Sequence, residues 1–256
     1  MPEEKTSFQD LVSIVERLRS PGGCPWDREQ THASLKRNLI EECYEALEAI
    51  DSNDPAGLSE ELGDILVQVV FHSQMARESR HFSIDDVVAG VAEKLVRRHP
   101  HVFGDGRAKD AREVELNWDQ LKKQENEQKS TLDGIPKDLP ALARAQLTQD
   151  RVGREGFEWE DISGVLDKVA EEAAEIRNAV DDEERAREIG DLLFTVVNLA
   201  RWQGVHAEES LRQTNLRFQA RYNTMESLAK ERGLDFRLLP LAEKEKLWQE
   251  AKGMEV

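Results

Sequence analysis

The stretch VAEEAAEIRNAVDDEERAREIGDLLFTVV, residues 169–197, decides how the chain folds. It sets Glu171, Glu172 and Glu175 on one helical turn, then Glu188 and Asp191 three apart on a second helix. Positions three or four apart share a helix face. Glu172 with Glu175, and Glu188 with Asp191, are therefore two pairs of neighbouring carboxylates. Val169, Ala173, Ile176 and Val180 predict a core stripe on the first helix, and Ile189, Leu192, Leu193, Val196 and Val197 predict one on the second. The carboxylates stand at the margin of each stripe, so packing the helices together brings four of them close. Asn198 continues the Glu188/Asp191 row and adds a polar group to it.

Like charges held together repel unless their pKa values rise or a cation joins them. An all-oxygen ligand set favours Mg2+, with Mn2+ as the alternative. Because Mg2+ commonly completes its shell with water and substrate phosphates, the arrangement points to phosphate chemistry. A lone EExxE would be better read as the solvated face of an acidic helix. Two features outweigh that reading. Gly190 interrupts an apolar helical run, where glycine costs roughly 1 kcal/mol relative to alanine. The whole arrangement also occurs twice: Glu41, Glu42 and Glu45 precede Glu61 and Asp64, and Glu-x-Gly-Asp-x-Leu stands at both 61–66 and 188–193.

A chain of 256 residues has room for one or two domains. A formal charge of −17 argues against a nucleic-acid surface, which needs a basic footprint, and suits divalent cations. Cys24 and Cys43 give no disulfide framework and no zinc spacing. The opening MPEEKTSFQD lacks a signal region, and no apolar run is long enough to span a membrane, so the expected compartment is the cytoplasm.

Along the chain, Phe8 to Leu18 predicts an amphipathic helix ended by Ser20-Pro21-Gly22-Gly23. A loop follows at Cys24 to Thr31, where Trp26 either plugs the helix ends or touches a ligand. Helices are expected near 35–50, 58–77 and 84–98, the last started by Ser83. Its end, Lys94 to His101, is the densest basic patch. It either grips phosphates or complements the helix C-terminus. A helix over 114–124 carries Trp118. Residues 125–138 are polar with Gly134 and Pro136 and predict a linker between a domain at 1–124 and a second at 139–256. The second half repeats the order of the first: a helix, a loop with Phe157 and Trp159, the acidic pair, a basic helix with Arg217 and Arg221, and a helix with Trp248. Trp118 and Trp248 are core residues unless a basic helix ends beside them.

These segments together resemble the MazG nucleoside triphosphate pyrophosphohydrolases in their two-domain bacterial form. The resemblance covers nearly the whole chain and rests on GCPWDREQTH at 23–32, EECYEALEAI at 41–50, EELGDILVQVVF at 60–71, KLVRRHPHVFG at 94–104 and LDGIPKDLPAL at 132–142. In the second half it rests on EEAAEI, EIGDLLFTVVNLAR and NLRFQARY. It implies an all-α fold, a tandem pair of MazG-like helical domains each built on a four-helix-bundle-type core, usually as a homodimer. It further implies Mg2+-dependent hydrolysis of nucleoside triphosphates to monophosphate and pyrophosphate with broad base tolerance, credited to the second domain. Carried over, Glu172, Glu175, Glu188 and Asp191 are the metal ligands, with Glu42, Glu45, Glu61 and Asp64 as a second candidate site. Lys168, Glu172, Arg187, Asp191, Arg217, Arg221 and Trp248 are the nucleotide contacts, with Lys94, Arg98 and Trp118 as first-half candidates. Arg217 stands where lysine is common, and Glu184-Arg185-Ala186-Arg187 departs from the lysine-plus-acidic pattern expected before Glu188. The first half keeps every acidic position, so its sequence does not silence it.

The expected mechanism is in-line attack of an activated water on the α-phosphorus, with Glu171 orienting the water or taking its proton. No nucleophile–base constellation and no Walker-type glycine loop is present. A di-iron bundle would need Glu-x-x-His pairs facing the core; Glu29/His32 and Glu78/His81 have the spacing but lie away from the acidic rows. A non-catalytic nucleotide- or partner-binding protein is the remaining class.

Overall fold

The computed structural model describes residues 7–110, 113–114 and 130–254. The chain divides into two compact units, Met1–Glu127 and Gln128–Val256, and the described residues contain helices and no strand. The division falls inside the stretch expected to be a linker.

In the first unit, α1 (Phe8–Arg19) opens with a capping box, in which Ser7 and Asp10 satisfy each other's backbone N–H groups. The expected loop at 24–31 contains a short helix, α2 (Pro25–Glu29), because Pro25 sits at the first helical position, where a missing N–H costs nothing. Next come α3 (Lys36–Asp51) and α4 (Pro55–Glu78), the latter capped by Asp54. Ser83 and Asp86 form a second capping box on α5 (Ile84–Arg98), and Pro100 starts the single turn α6 (Pro100–Phe103). Helix α4 is central: α3 lies along it, and α1 and α5 pack on it. Val12, Val15, Leu35, Val70, Phe71 and Met75 form the core between them. Trp26 is 59% exposed, so it does not plug the helix ends.

The second unit comprises α7 (Ala141–Arg154), α8 (Ile162–Asn178), α9 (Asp182–Trp202), α10 (Ala207–Glu231), a 3-10 turn at Phe236–Leu238 and α11 (Leu241–Gly253). Here α9 is central, with α8 and α7 packed on it; α10 packs on α7 and carries α11. Met225, Leu228, Ala229, Leu247 and Ala251 make the α10–α11 core. Arg151 of α7 donates to the carbonyls of Thr131 and Asp133, at 3.2 and 2.6 Å, and so holds the preceding segment to this unit. Apart from Val114, the expected helix at 114–124, with Trp118, lies outside the described residues, as does 125–129 of the expected linker.

The predicted core stripes need correction. Val165 and Val197 are buried, but Ile189, Leu193 and Val196 are each close to half exposed, Ala173 is exposed, and Val180 lies beyond the end of α8 at 85% exposure. Leu62 and Leu66 of α4 are likewise open. Periodicity locates an apolar face but does not say what covers it. Here α8 and α9 meet through a mixed face carrying Glu172 and Thr195, both buried, and leave much of the apolar stripe on the unit's surface.

Arg19 supplies the main polar tie of the first unit. Its side chain is 7% exposed, pairs with both carboxylate oxygens of Glu78 at 2.8–2.9 Å, and donates to the carbonyls of Asp27 and Gln30. Arg19→Met should lower unfolding stability by about 2 kcal/mol, because it strands partly buried acceptors. Arg77→Met, which removes an exposed pair with Glu16, should change it by under about 1 kcal/mol. Urea titrations of the two variants compare them directly.

Candidate active site

The carboxylates converge because α8 and α9 run side by side and Glu172 falls on the buried face of α8. One oxygen each from Glu172, Glu188 and Asp191 lies within 4.8 Å of the others. Glu175 stands outside this trio but within its field: partial desolvation and the charges of Glu172 and Glu188 raise its pKa above the usual carboxylate value. In the first unit the converging trio is Glu42, Glu45 and Glu61. There Asp64 stands outside, and its charge, after burial, raises the pKa of Glu42; Glu61 is raised too, by burial and then by Glu45. All eight predicted carboxylates thus sit in or beside two clusters. Gly63 and Gly190 have open space where a Cβ would point, so packing within the unit does not demand them.

Glu172 is the most constrained member, only 4% exposed. Its Oε1 pairs with Lys168 Nζ at 2.6 Å, while Oε2 is buried with no partner among the described residues. An unmet carboxylate oxygen beside two further carboxylates is costly unless a cation joins it. The residues therefore fit a hard divalent ion held by oxygen ligands. Lys168 also holds Glu171 at 2.8 Å, and the two carboxylates raise its pKa far above the lysine norm, so it stays charged.

Lys168 borders a cavity of about 590 Å³, also lined by Gln149, Val152, Phe157, Trp159, Phe194, Asn198 and Arg201. The loop between α7 and α8 builds one wall. Gly156 takes a left-handed φ of +87° to turn the chain, and Gly164 leaves room for the Trp159 ring, since a Cβ there would come within 2.6 Å of it. Glu158 fastens the loop to α9, accepting from Arg201 and, at 2.9 Å, from Trp202 Nε1. Arg201 in turn donates twice to Asn198 Oδ1, at 2.8 and 3.0 Å. That oxygen therefore already accepts two hydrogen bonds and is not free to join the carboxylates around an ion.

The remaining expected contacts lie elsewhere. Arg187 makes an exposed pair with Glu183. Arg217 donates to Thr214, and Arg221 lies over the Trp248 ring at 5.3 Å, with Phe218 against the same indole. None of Arg187, Arg217, Arg221 or Trp248 lines the cavity. Trp248 is half-buried against the α10–α11 core. Lys94 is exposed and Arg98 half-buried on α5. Glu78 is bound to Arg19, which removes it as a di-iron ligand.

Sequence reasoning missed Gln149, Glu158 and Arg201. The signal lay in the duplicated motif. Seven positions after its aspartate stands Phe71 in the first copy and Asn198 in the second; ten after stand Gln74 and Arg201. Phe71 is packed in the first core, so a ring occupies the position that bears a polar cavity wall in the second unit.

Residues 30–103 match the family model described as the MazG nucleotide pyrophosphohydrolase domain, and residues 149–217 match that of phosphoribosyl-ATP pyrophosphohydrolase. A Thermotoga maritima protein named nucleoside triphosphate pyrophosphohydrolase/pyrophosphatase MazG is 46% identical over 99% of this chain and 98% of its own length. The chain belongs to the MazG family. An Escherichia coli K12 member, named nucleoside triphosphate pyrophosphohydrolase, is 45% identical over 96% of this chain and 97% of its own. The tandem MazG-like helical domains follow from the same matches.

The carboxylate clusters make a pH-dependent prediction. Carboxyl groups with raised folded pKa values, such as Glu42, Glu61 and Glu175, stabilise fully below the unfolded value and lose that contribution as pH rises through the folded one. At neutral pH the metal-free clusters therefore oppose folding. Millimolar Mg2+ should raise Tm at neutral pH, and the gain should shrink as pH falls towards about 4.5. Glu172→Gln should reduce the gain, as read by differential scanning fluorimetry.

Proposed function

We propose that this MazG-family chain is a Mg2+-dependent nucleoside triphosphate pyrophosphohydrolase whose second unit cuts the bond between the α- and β-phosphates. The products are a nucleoside monophosphate and pyrophosphate, the substrates are ribo- or deoxyribonucleotides of any common base, and the role is clearing of nucleotide pools. The observation that carries the reading is the buried Glu172, beside Glu188 and Asp191, whose Oε2 has no partner among the described residues and which Lys168 joins to a ring-lined cavity. The relatives' names agree with it.

Glu172, Glu188 and Asp191, with Glu175 beside them, are the residues that would hold the ion. Bound Mg2+ supplies a Lewis acid that neutralises phosphate charge and makes water nucleophilic near neutral pH; Mn2+ is the nearest substitute. Lys168, at the rim of the cavity, holds a phosphate oxygen. Glu171 is the exposed carboxylate next to it and takes the proton from water as the oxygen attacks the α-phosphorus. The electron pair of the breaking bond leaves with pyrophosphate. Phe157, Trp159 and Phe194 enclose the base and keep the reacting end in register. The assignment of Arg187, Arg217, Arg221 and Trp248 to the nucleotide rests on the family resemblance alone.

The first unit keeps a carboxylate trio but has Phe71 where the second has Asn198, so we assign turnover to the second unit. Glu172→Gln should lower pyrophosphate release by more than about 100-fold, while Glu42→Gln leaves most of it. The reverse result reassigns the active site, and no release from any triphosphate by the unaltered protein favours a nucleotide-binding role without catalysis.

We further propose a homodimer, supported by the open apolar faces of α4 and α9 at Leu62, Leu66, Ile189, Leu193 and Val196. Leu193→Glu should reduce the mass measured by light scattering after size exclusion towards the 29.2 kDa of one chain.

A further inference from the structure

The pyrophosphohydrolase reading leaves open how one cavity accepts several bases, and the structure carries an answer that rests on that reading. We infer that Gln149 reads the edge of the nucleobase, through a single acceptor that every common base can meet with an N–H group.

Gln149 lines the cavity from α7 and is only 5% exposed. Its Nε2 donates to the Phe194 carbonyl at 2.8 Å. This bond fixes which end of the amide is which, because exchanging them would set two acceptors against each other. Oε1 is thereby left buried, with no partner among the described residues. Several other polar groups around the cavity are engaged: Thr148 donates to Arg144, Lys168 is paired with Glu171 and Glu172, and Glu158, Arg201 and Asn198 Oδ1 hold one another. A buried acceptor without a donor is a standing cost that a ligand N–H removes.

The walls say what kind of ligand brings that N–H. Phe157 and Trp159 expose ring surface at 83% and 45%, and Phe194 adds a third ring. A flat heterocycle suits such walls. Lys168 borders the cavity and pairs with Glu172, so the heterocycle lies inside while its phosphates lie at the carboxylate trio.

A lone acceptor is a permissive reader. Adenine and cytosine offer an exocyclic amino group, whereas guanine, uracil and thymine offer a ring N–H, and all satisfy it. Nε2 is held by the Phe194 carbonyl, so the unmet group of Gln149 is its oxygen, and it is this acceptor that the common bases share. A heterocycle with no N–H on that edge would leave the oxygen unmet, and this is where discrimination appears.

The decisive comparison is ATP against purine riboside 5′-triphosphate, which lacks only the exocyclic amino group. The unaltered protein should show kcat/KM lower by about tenfold or more for purine riboside triphosphate, mostly through KM, with GTP, CTP and UTP near ATP. Gln149→Met should bring the two purine substrates within about twofold of each other. A purely structural role for Gln149 would depress both substrates equally and preserve their ratio, which would overturn the inference. So would equal turnover of both by the unaltered protein, a result that needs no variant to fold. If no triphosphate releases pyrophosphate, the pyrophosphohydrolase reading falls instead. Calorimetric binding of ATP and purine riboside triphosphate then decides the role of Gln149, with equal affinities overturning it.

Discussion

Mutual repulsion among carboxylates at the helix–helix contact is the constraint that the second unit is organised around. Apolar side chains could have closed the α8–α9 contact and would have been cheaper. Instead Glu172 occupies a buried position there, with one oxygen given to Lys168 and the other without a partner among the described residues. Buried ionic groups of this kind are poor sources of stability. Their placement makes sense when a cation and a polyphosphate complete the charge balance, and stability is then tied to the ligands.

The two copies show how such a site diverges. Both retain converging carboxylates, so charge alone does not separate them. The difference lies in the next turns of the central helix. In the first unit Phe71 joins Val12, Val15 and Met75 in a closed apolar core. In the second, Asn198 and Arg201 stand at the corresponding positions and are fastened through Glu158 to the aromatic loop, which keeps a cavity open. One copy packs what the other leaves accessible.

Much of this was legible from residue order. Helix positions followed from apolar periodicity and, for α5, from Ser83, whose local chemistry needs no tertiary context; in the sequence the short helix at Pro25 and the first turn of α4 at Pro55 read as loop and turn. The acidic pairs followed from helical spacing together with their duplication. What stayed hidden depends on three dimensions. The stripe through Ile189, Leu193 and Val196 has the spacing of a core, yet a unit with few helices has nothing to lay over it. Trp248 and Arg221 lie close enough to stack, but on a helix pair apart from the cavity lining. Gln149, within ALARAQLTQD, looks like any polar residue on an amphipathic helix. Only its bond to the Phe194 carbonyl, forty-five positions away, shows that its oxygen is stranded.

The grip of Arg151 on the carbonyls of Thr131 and Asp133 has a practical bearing on dissecting the two halves. A fragment beginning at Leu139, where the polar stretch ends, would strip a guanidinium of both acceptors and loosen α7, the helix that carries Gln149. Starting at Ser130 keeps the clasp intact, so the natural seam for separating the halves lies upstream of the proline-rich turn, not at its exit.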